Sequence, residues 1–111
     1  PKTDPLNIES SWWSTNNKYI NLCLAIKAGT TTADEAAVQS VTLVSNGIQQ
    51  QADGRTTARF KLYHDQAGVP QYYTVRQYAS LPLAEVGDVD SVSITVNTYA
   101  GLHTLTLSTK P

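Results

Sequence analysis

The chain has 111 residues, enough for one domain around one core. Charged residues make up 15% of it, with a net charge of -1, against roughly a quarter charged in ordinary globular proteins. Lys18, Lys27, Arg55, Arg59, Lys61 and Arg76 are scattered singly, so no basic cluster exists to hold phosphates, and nucleic acid is excluded as an expected partner.

Serine, threonine, asparagine and glutamine replace the missing charges, a balance that suits an extracellular or particle-surface β-protein better than a cytosolic enzyme. The expected location is extracellular or at the cell surface. No apolar run reaches the roughly 18 residues of a membrane helix. The chain opens at Pro-Lys without a signal peptide, as a mature protein or an excised domain does.

Residues 1–18, with Pro1, Pro5 and many Ser and Asn, read as an N-terminal arm or linker. Within it Trp12-Trp13 sits among Ser10, Ser11, Ser14, Thr15, Asn16 and Asn17. Tyr19–Lys27 follows as a strand that is apolar on both faces, through Ile20, Leu22, Leu24 and Ile26 on one and Cys23 and Ala25 on the other. Cys23 is the sole cysteine, so no internal disulfide forms, and its apolar setting reads as a buried small hydrophobe.

After Ala28-Gly29, the run Thr32-Ala33-Asp34-Glu35 fits a capping box for a helix of a turn or two. Val38–Ser45 is a strand ending at the turn signal Asn46-Gly47, with a second turn at Asp53-Gly54. Thr56–Asp65 alternates most clearly: Ala58, Phe60 and Leu62 face one way, Arg59, Lys61 and Asp65 the other. Ala67-Gly68 and Pro70 turn the chain into Gln71–Tyr78. Gly87-Asp88 leads to Ser91–Thr98, with Val92, Ile94 and Val96 inward, and Ala100-Gly101 leads to His103–Thr109 through Leu105 and Leu107. Six or seven short strands with frequent turns define an all-β antiparallel sandwich over residues 19–111.

Asn46-Gly47, Ala52-Asp53-Gly54 and the strand closing on Asp65-Gln66-Ala67-Gly68-Val69-Pro70 resemble the bacterial Ig-like domains of the invasin/intimin group. Those domains carry an NG…ADG lead, an alternating strand and a D-x-x-G-x-P-V turn. Thr98–Lys110 resembles the same family's T-x-x-G-x-x-T-x-T-L segment. The resemblance implies an Ig-like sandwich in a bacterial surface protein, acting in adhesion or as a spacer. The family usually has one more strand after the second motif. Tyr19–Lys27 would fill that place from the same chain or by exchange between chains.

His64-Asp65 pairs a histidine with a carboxylate, but neighbours on a strand point to opposite faces and cannot readily bond each other. His64 therefore reads as a surface or turn residue. No G-x-S-x-G accompanies the serines, and no enzyme is expected. Asp88 and Asp90 have a D-x-D spacing without a full calcium loop, so they read as solvated turn residues, and neither a metal nor a cofactor is expected.

The aromatics are the candidate contacts. Trp12 and Trp13 alternate faces, so one of them stays exposed, and Tyr72, Tyr73 and Tyr78 crowd around Arg76. Flat rings beside polar groups suit a protein or glycan on a host or neighbouring surface, and Trp12, Trp13, Tyr72 and Tyr73 are the expected binding residues. The expected function is a non-enzymatic surface adhesion or spacer module, which would self-associate, if at all, through the arm or strand exchange. A virus or phage particle subunit and a small carbohydrate-binding protein are the alternatives.

Overall fold

The computed structural model describes residues 2–30 and 38–109. Among the described residues seven strands follow in order: β1 Asn7–Trp13, β2 Tyr19–Ala28, β3 Ser40–Gln50, β4 Thr56–Asp65, β5 Tyr73–Pro82, β6 Ser91–Thr98 and β7 Gly101–Ser108. They form a three-stranded sheet ordered β1-β2-β5 and a four-stranded sheet ordered β3-β4-β6-β7. All neighbours are antiparallel except β4 and β6, which run parallel because the chain visits the other sheet as β5 between them. The expected capping box at Thr32–Glu35 lies outside the described residues.

The core forms where the two sheets face each other. Ile20, Leu22, Leu24 and Ile26 of β2 meet Ala58, Phe60 and Leu62 of β4 and Val92, Ile94 and Val96 of β6. These are the alternating sets that the period of two selects, and a fully buried Leu or Ile contributes about 2 kcal/mol. β2 is buried on its second face as well, through Cys23 and Ala25.

Residues 2–18 are not a detached arm. Leu6 is fully buried in the core, and Thr3 bridges His64 in parallel, with His64 N–H donating to Lys2 O and Asp4 N–H to His64 O. Asn7–Trp13 then pairs with β2 from Asn7 opposite Ala25 to Trp13 opposite Ile20. The strand was concealed by a bulge between Ile8 and Ser10. One inserted residue shifts the alternation, so that Ile8 and Trp13 both reach the core although their spacing is odd.

Asn46-Gly47 likewise does not turn the chain. β3 continues through it as a bulge, with the register shifting between Ser45 and Ile48 and Gly47 at φ +88°. A left-handed glycine serves a bulge as well as a hairpin turn. The turn itself lies at Gln51–Arg55, where Gly54 N–H donates to Gln51 O. β5 also starts and ends later than Gln71–Tyr78, since its pairing with β2 runs from Tyr73 opposite Ala28 to Pro82 opposite Tyr19.

Candidate functional site

The four expected contact residues fall in two separate places. Trp12 lies opposite Asn21 and Tyr73 opposite Ala28. Seven positions along β2 separate the two levels, roughly 23 Å at the usual rise per residue. Trp12 and Trp13 alternate as expected: Trp13 packs against the core, while Trp12 is 41% exposed on the outer face of the three-stranded sheet.

On that face Trp12 meets Tyr78, which pairs directly opposite Cys23. Their ring centroids are 6.2 Å apart at 78°, an edge-to-face contact of the favourable aromatic geometry. Tyr78 was part of the tyrosine cluster seen in the sequence, but nothing there revealed Trp12 as its partner, because that needs the register of β1 and β5 on β2. Next to this pair, Arg76 Nε donates to Glu9 Oε2 at 2.9 Å. That hydrogen bond, with the charge of Glu9, holds the guanidinium still further above its ordinary pKa. The two contacts link both outer strands over the small side chains Cys23 and Ala25, and so account for the second buried face of β2.

Tyr72 and Tyr73 stand at the other end of β2. Tyr72 N–H donates to Ala28 O at 3.0 Å, and its ring, on a residue 71% exposed, rests against Gly29. Tyr99, on the β6–β7 turn, receives Lys27 Nζ 4.8 Å from its ring centroid. Lys27 is the partner of Thr74 in the β2–β5 ladder, which puts Tyr99 at the Tyr72–Tyr73 end of the sandwich.

His64 is the main departure from expectation. Instead of lying at the surface it is 1% exposed. Nδ1 lies 3.1 Å from Asp4 O and 3.2 Å from Pro5 O, and Nε2 lies 2.7 Å from Gln39 Oε1. Gln39 Nε2 and Gln66 Nε2 both donate to Lys27 O, and Gln66 N–H donates to Asp4 Oδ2. These bonds knot the N-terminal lead, the end of β2, the start of β3 and the end of β4. The sequence hid this, since an inward histidine continues the Ala58–Phe60–Leu62 parity only if β1's lead covers it. Asp65 points the other way, where its Oδ1 accepts Ala67 N–H at 2.8 Å in the following turn. The histidine and the carboxylate therefore form no catalytic pair.

Asp90 is also committed to structure, for its Oδ2 accepts Thr56 N–H at 2.9 Å. Among the described residues no three His, Cys, Asp or Glu side chains gather as a metal site. The outer face of the four-stranded sheet is hydroxyl-rich, with Thr95 and Thr104 bonded across β6 and β7. A shallow depression of about 190 Å³ there is lined by Lys2, Ser40, Thr42, Val44, Tyr63 and Asp65.

These polar side chains thus tie segments together, while Trp12, Tyr72, Tyr73 and Tyr78 stay exposed. This defines a small two-sheet β-sandwich domain. A family model described as the NigD-like C-terminal beta sandwich domain matches residues 2–109, and the chain belongs to that family. A crystal structure of a NigD-like immunity protein from Bacteroides caccae is similar, at 24% identity and a TM-score of 0.63, over 98% of this chain and 51% of that one. A putative toxin related protein from Parabacteroides distasonis is similar at 18% identity and a TM-score of 0.63, over 97% of this chain and 52% of that one. At these identities the likeness establishes the fold, and the chain spans about half the length of either structure. No curated protein matches the sequence.

The family match and the similar structures overturn the resemblance to invasin/intimin Ig-like domains, and with it the adhesion or spacer role. The misleading motifs were turn chemistry. Asn46-Gly47 is a bulge, while Asp53-Gly54 and Asp65–Gly68 are tight turns with left-handed glycines, devices that any sandwich needs.

Proposed function

We propose that this domain is a non-enzymatic protein-binding module of an immunity- or toxin-related protein, acting outside the cytoplasm or at the cell surface. Membership of the NigD-like family supports it, as do the printed descriptions of the similar structures, one a NigD-like immunity protein and the other a putative toxin related protein. Those descriptions support a protein as the partner.

The observation that carries the reading is the Trp12–Tyr78 pair beside the Glu9–Arg76 bridge. Tryptophan, tyrosine and arginine dominate the energetics of protein interfaces, and rings already held in place lose little entropy on binding. Trp12 is the central contact, and Trp13 supports it from the core side. Tyr72 and Tyr73, with Tyr99, form a second contact area at the far end of the same sheet.

The test is protection. A sensitive bacterium expressing the domain at its surface is challenged with the toxin made by the strain the domain comes from. Survival should rise, and Trp12→Ala with Tyr78→Ala should abolish the gain without changing the far-ultraviolet circular dichroism. No protection by the wild-type domain sinks the immunity reading, and toxicity of the domain itself places it on the toxin side.

A further inference from the structure

The two sheets are unequal, three strands against four, and the shortfall is at β5. Val75 pairs opposite Ile26 and Gln77 opposite Leu24. Residues directly opposite share a face, so Val75 and Gln77 point to the side where Ile26 and Leu24 are buried. Val75 is nonetheless 38% exposed and Gln77 is exposed as well. A strand added beside β5 would make the sandwich four on four and cover this ledge.

The edge is also built to accept one. Proteins usually blunt a free edge with a bulge, a proline or charge. β1 carries a bulge and Glu9, and β3 carries a bulge at Asn46-Gly47. β7 is regular and free of acidic, lysine, arginine and proline residues, like a receptive edge, but it belongs to the sheet that already has four strands. β5 is regular over all ten residues of its ladder with β2, and among the described residues it pairs with nothing else. Its only charge, Arg76, is matched by Glu9, and its only proline is the last residue, Pro82.

We infer that β5 is a self-association edge, pairing antiparallel with β5 of a second copy of this chain into a six-stranded sheet. The sequence of the strand is self-complementary in one register. With Gln77 opposite its own copy on the two-fold axis, Arg76 faces Tyr78, Val75 faces Ala79 and Thr74 faces Ser80, each contact occurring twice. β-branched residues against small ones are favourable cross-strand pairs, while Arg76 and Tyr78 keep their contacts to Glu9 and Trp12 across β2. Moving the axis to Arg76 would oppose two like charges, which the preferred register avoids. The pairing lies beside the Trp12–Tyr78 and Glu9–Arg76 contacts, but its test needs only the chain and its own copy, so it can fail without the toxin or immunity reading failing.

Sedimentation velocity tests this across protein concentrations from about 10 μM to 1 mM, since an edge contact smaller than a standard interface associates weakly. The wild-type chain should shift from monomer to dimer. Gln77→Lys alone and Gln77→Glu alone place like charges on the axis and should each remain monomeric, with unchanged far-ultraviolet circular dichroism. An equal mixture of the two variants should dimerise again. A wild-type chain that stays monomeric at about 1 mM overturns the proposal, as do single variants that dimerise like wild type or a mixture that stays monomeric.

Discussion

The buried imidazole of His64 lies 2.7 Å from Gln39 Oε1 and 3.1 Å from the carbonyl of Asp4, joining segments 25 and 60 residues away in the chain. Removing it leaves buried polar groups without their imidazole partner and a cavity where the ring stood. His64→Ala is therefore expected to cost about 3 kcal/mol, the sum of orphaned polar groups and lost packing. Gln39→Ala, which leaves the Asp4 bond in place, should cost about 1 kcal/mol. Urea midpoints of the two variants check the order, and equal effects would mean that the Asp4 bond contributes nothing.

Cys23 is buried beneath Tyr78 and its neighbour Trp12. Thiol reagents act on the exposed thiolate, so the native domain should react only through opening of this cover. Trp12→Ala should raise the labelling rate by about tenfold or more, as local opening becomes easier. Trp13→Ala should instead lower global stability, because Trp13 packs on the core. A labelling rate unchanged in Trp12→Ala would show that the ring does not shield the thiol.

Gly29 has a steric rather than a conformational role. A Cβ there would stand 2.7 Å from Tyr72 Cδ2 and 3.0 Å from Pro70 O. Gly29→Ala must therefore push the Tyr72 ring aside, at an expected cost of about 1 kcal/mol. Tyr72→Ala should remove much of that cost, so the double variant is expected to be less destabilised than the sum of the singles. Strict additivity in thermal unfolding would place the strain on the backbone of Pro70 alone.

The Glu9–Arg76 bridge spans the sheet at the surface. Its hydrogen bond raises the pKa of Arg76 in the folded state, so the stability linked to that shift is present below the unfolded value and lost only as pH rises through the folded one. Both lie above the range in which proteins are studied. Arg76→Gln should then leave the pH dependence of Tm between about pH 6 and 9 unchanged, and added salt should barely affect the wild type. A pH-dependent difference between the two proteins in that window would refute this.

How far the sequence was legible follows from what each residue contributes locally. Ala58, Phe60 and Leu62, like Val92, Ile94 and Val96, announce buried faces through strict alternation, and the structure buries them. β1 escaped because its bulge puts Ile8 and Trp13 on one face at an odd spacing. Asn46-Gly47 was ambiguous because its left-handed glycine fits both a bulge and a turn. Trp12 and Tyr78, on strands β1 and β5, meet only through the register that β2 imposes on both. His64 depended on a lead segment about 60 positions earlier, a distance over which local periodicity carries no information.

That lead segment gives the last prediction. If residues 1–18 were an arm, deleting the first six would leave the sandwich untouched. In the structure the deletion removes Leu6 from the core, the Asp4 acceptor of Gln66 and the Thr3 carbonyl that accepts Asn97 Nδ2 at 2.7 Å. Leu6 alone contributes about 2 kcal/mol, and the lost hydrogen bonds add about 1 kcal/mol each. Against a typical margin of about 5–15 kcal/mol, the shortened chain should unfold at a much lower urea concentration. Leu6→Ala in the full chain separates the parts: it should cost about 2–3 kcal/mol while keeping the cooperative transition. An unchanged midpoint in the shortened chain would restore the arm.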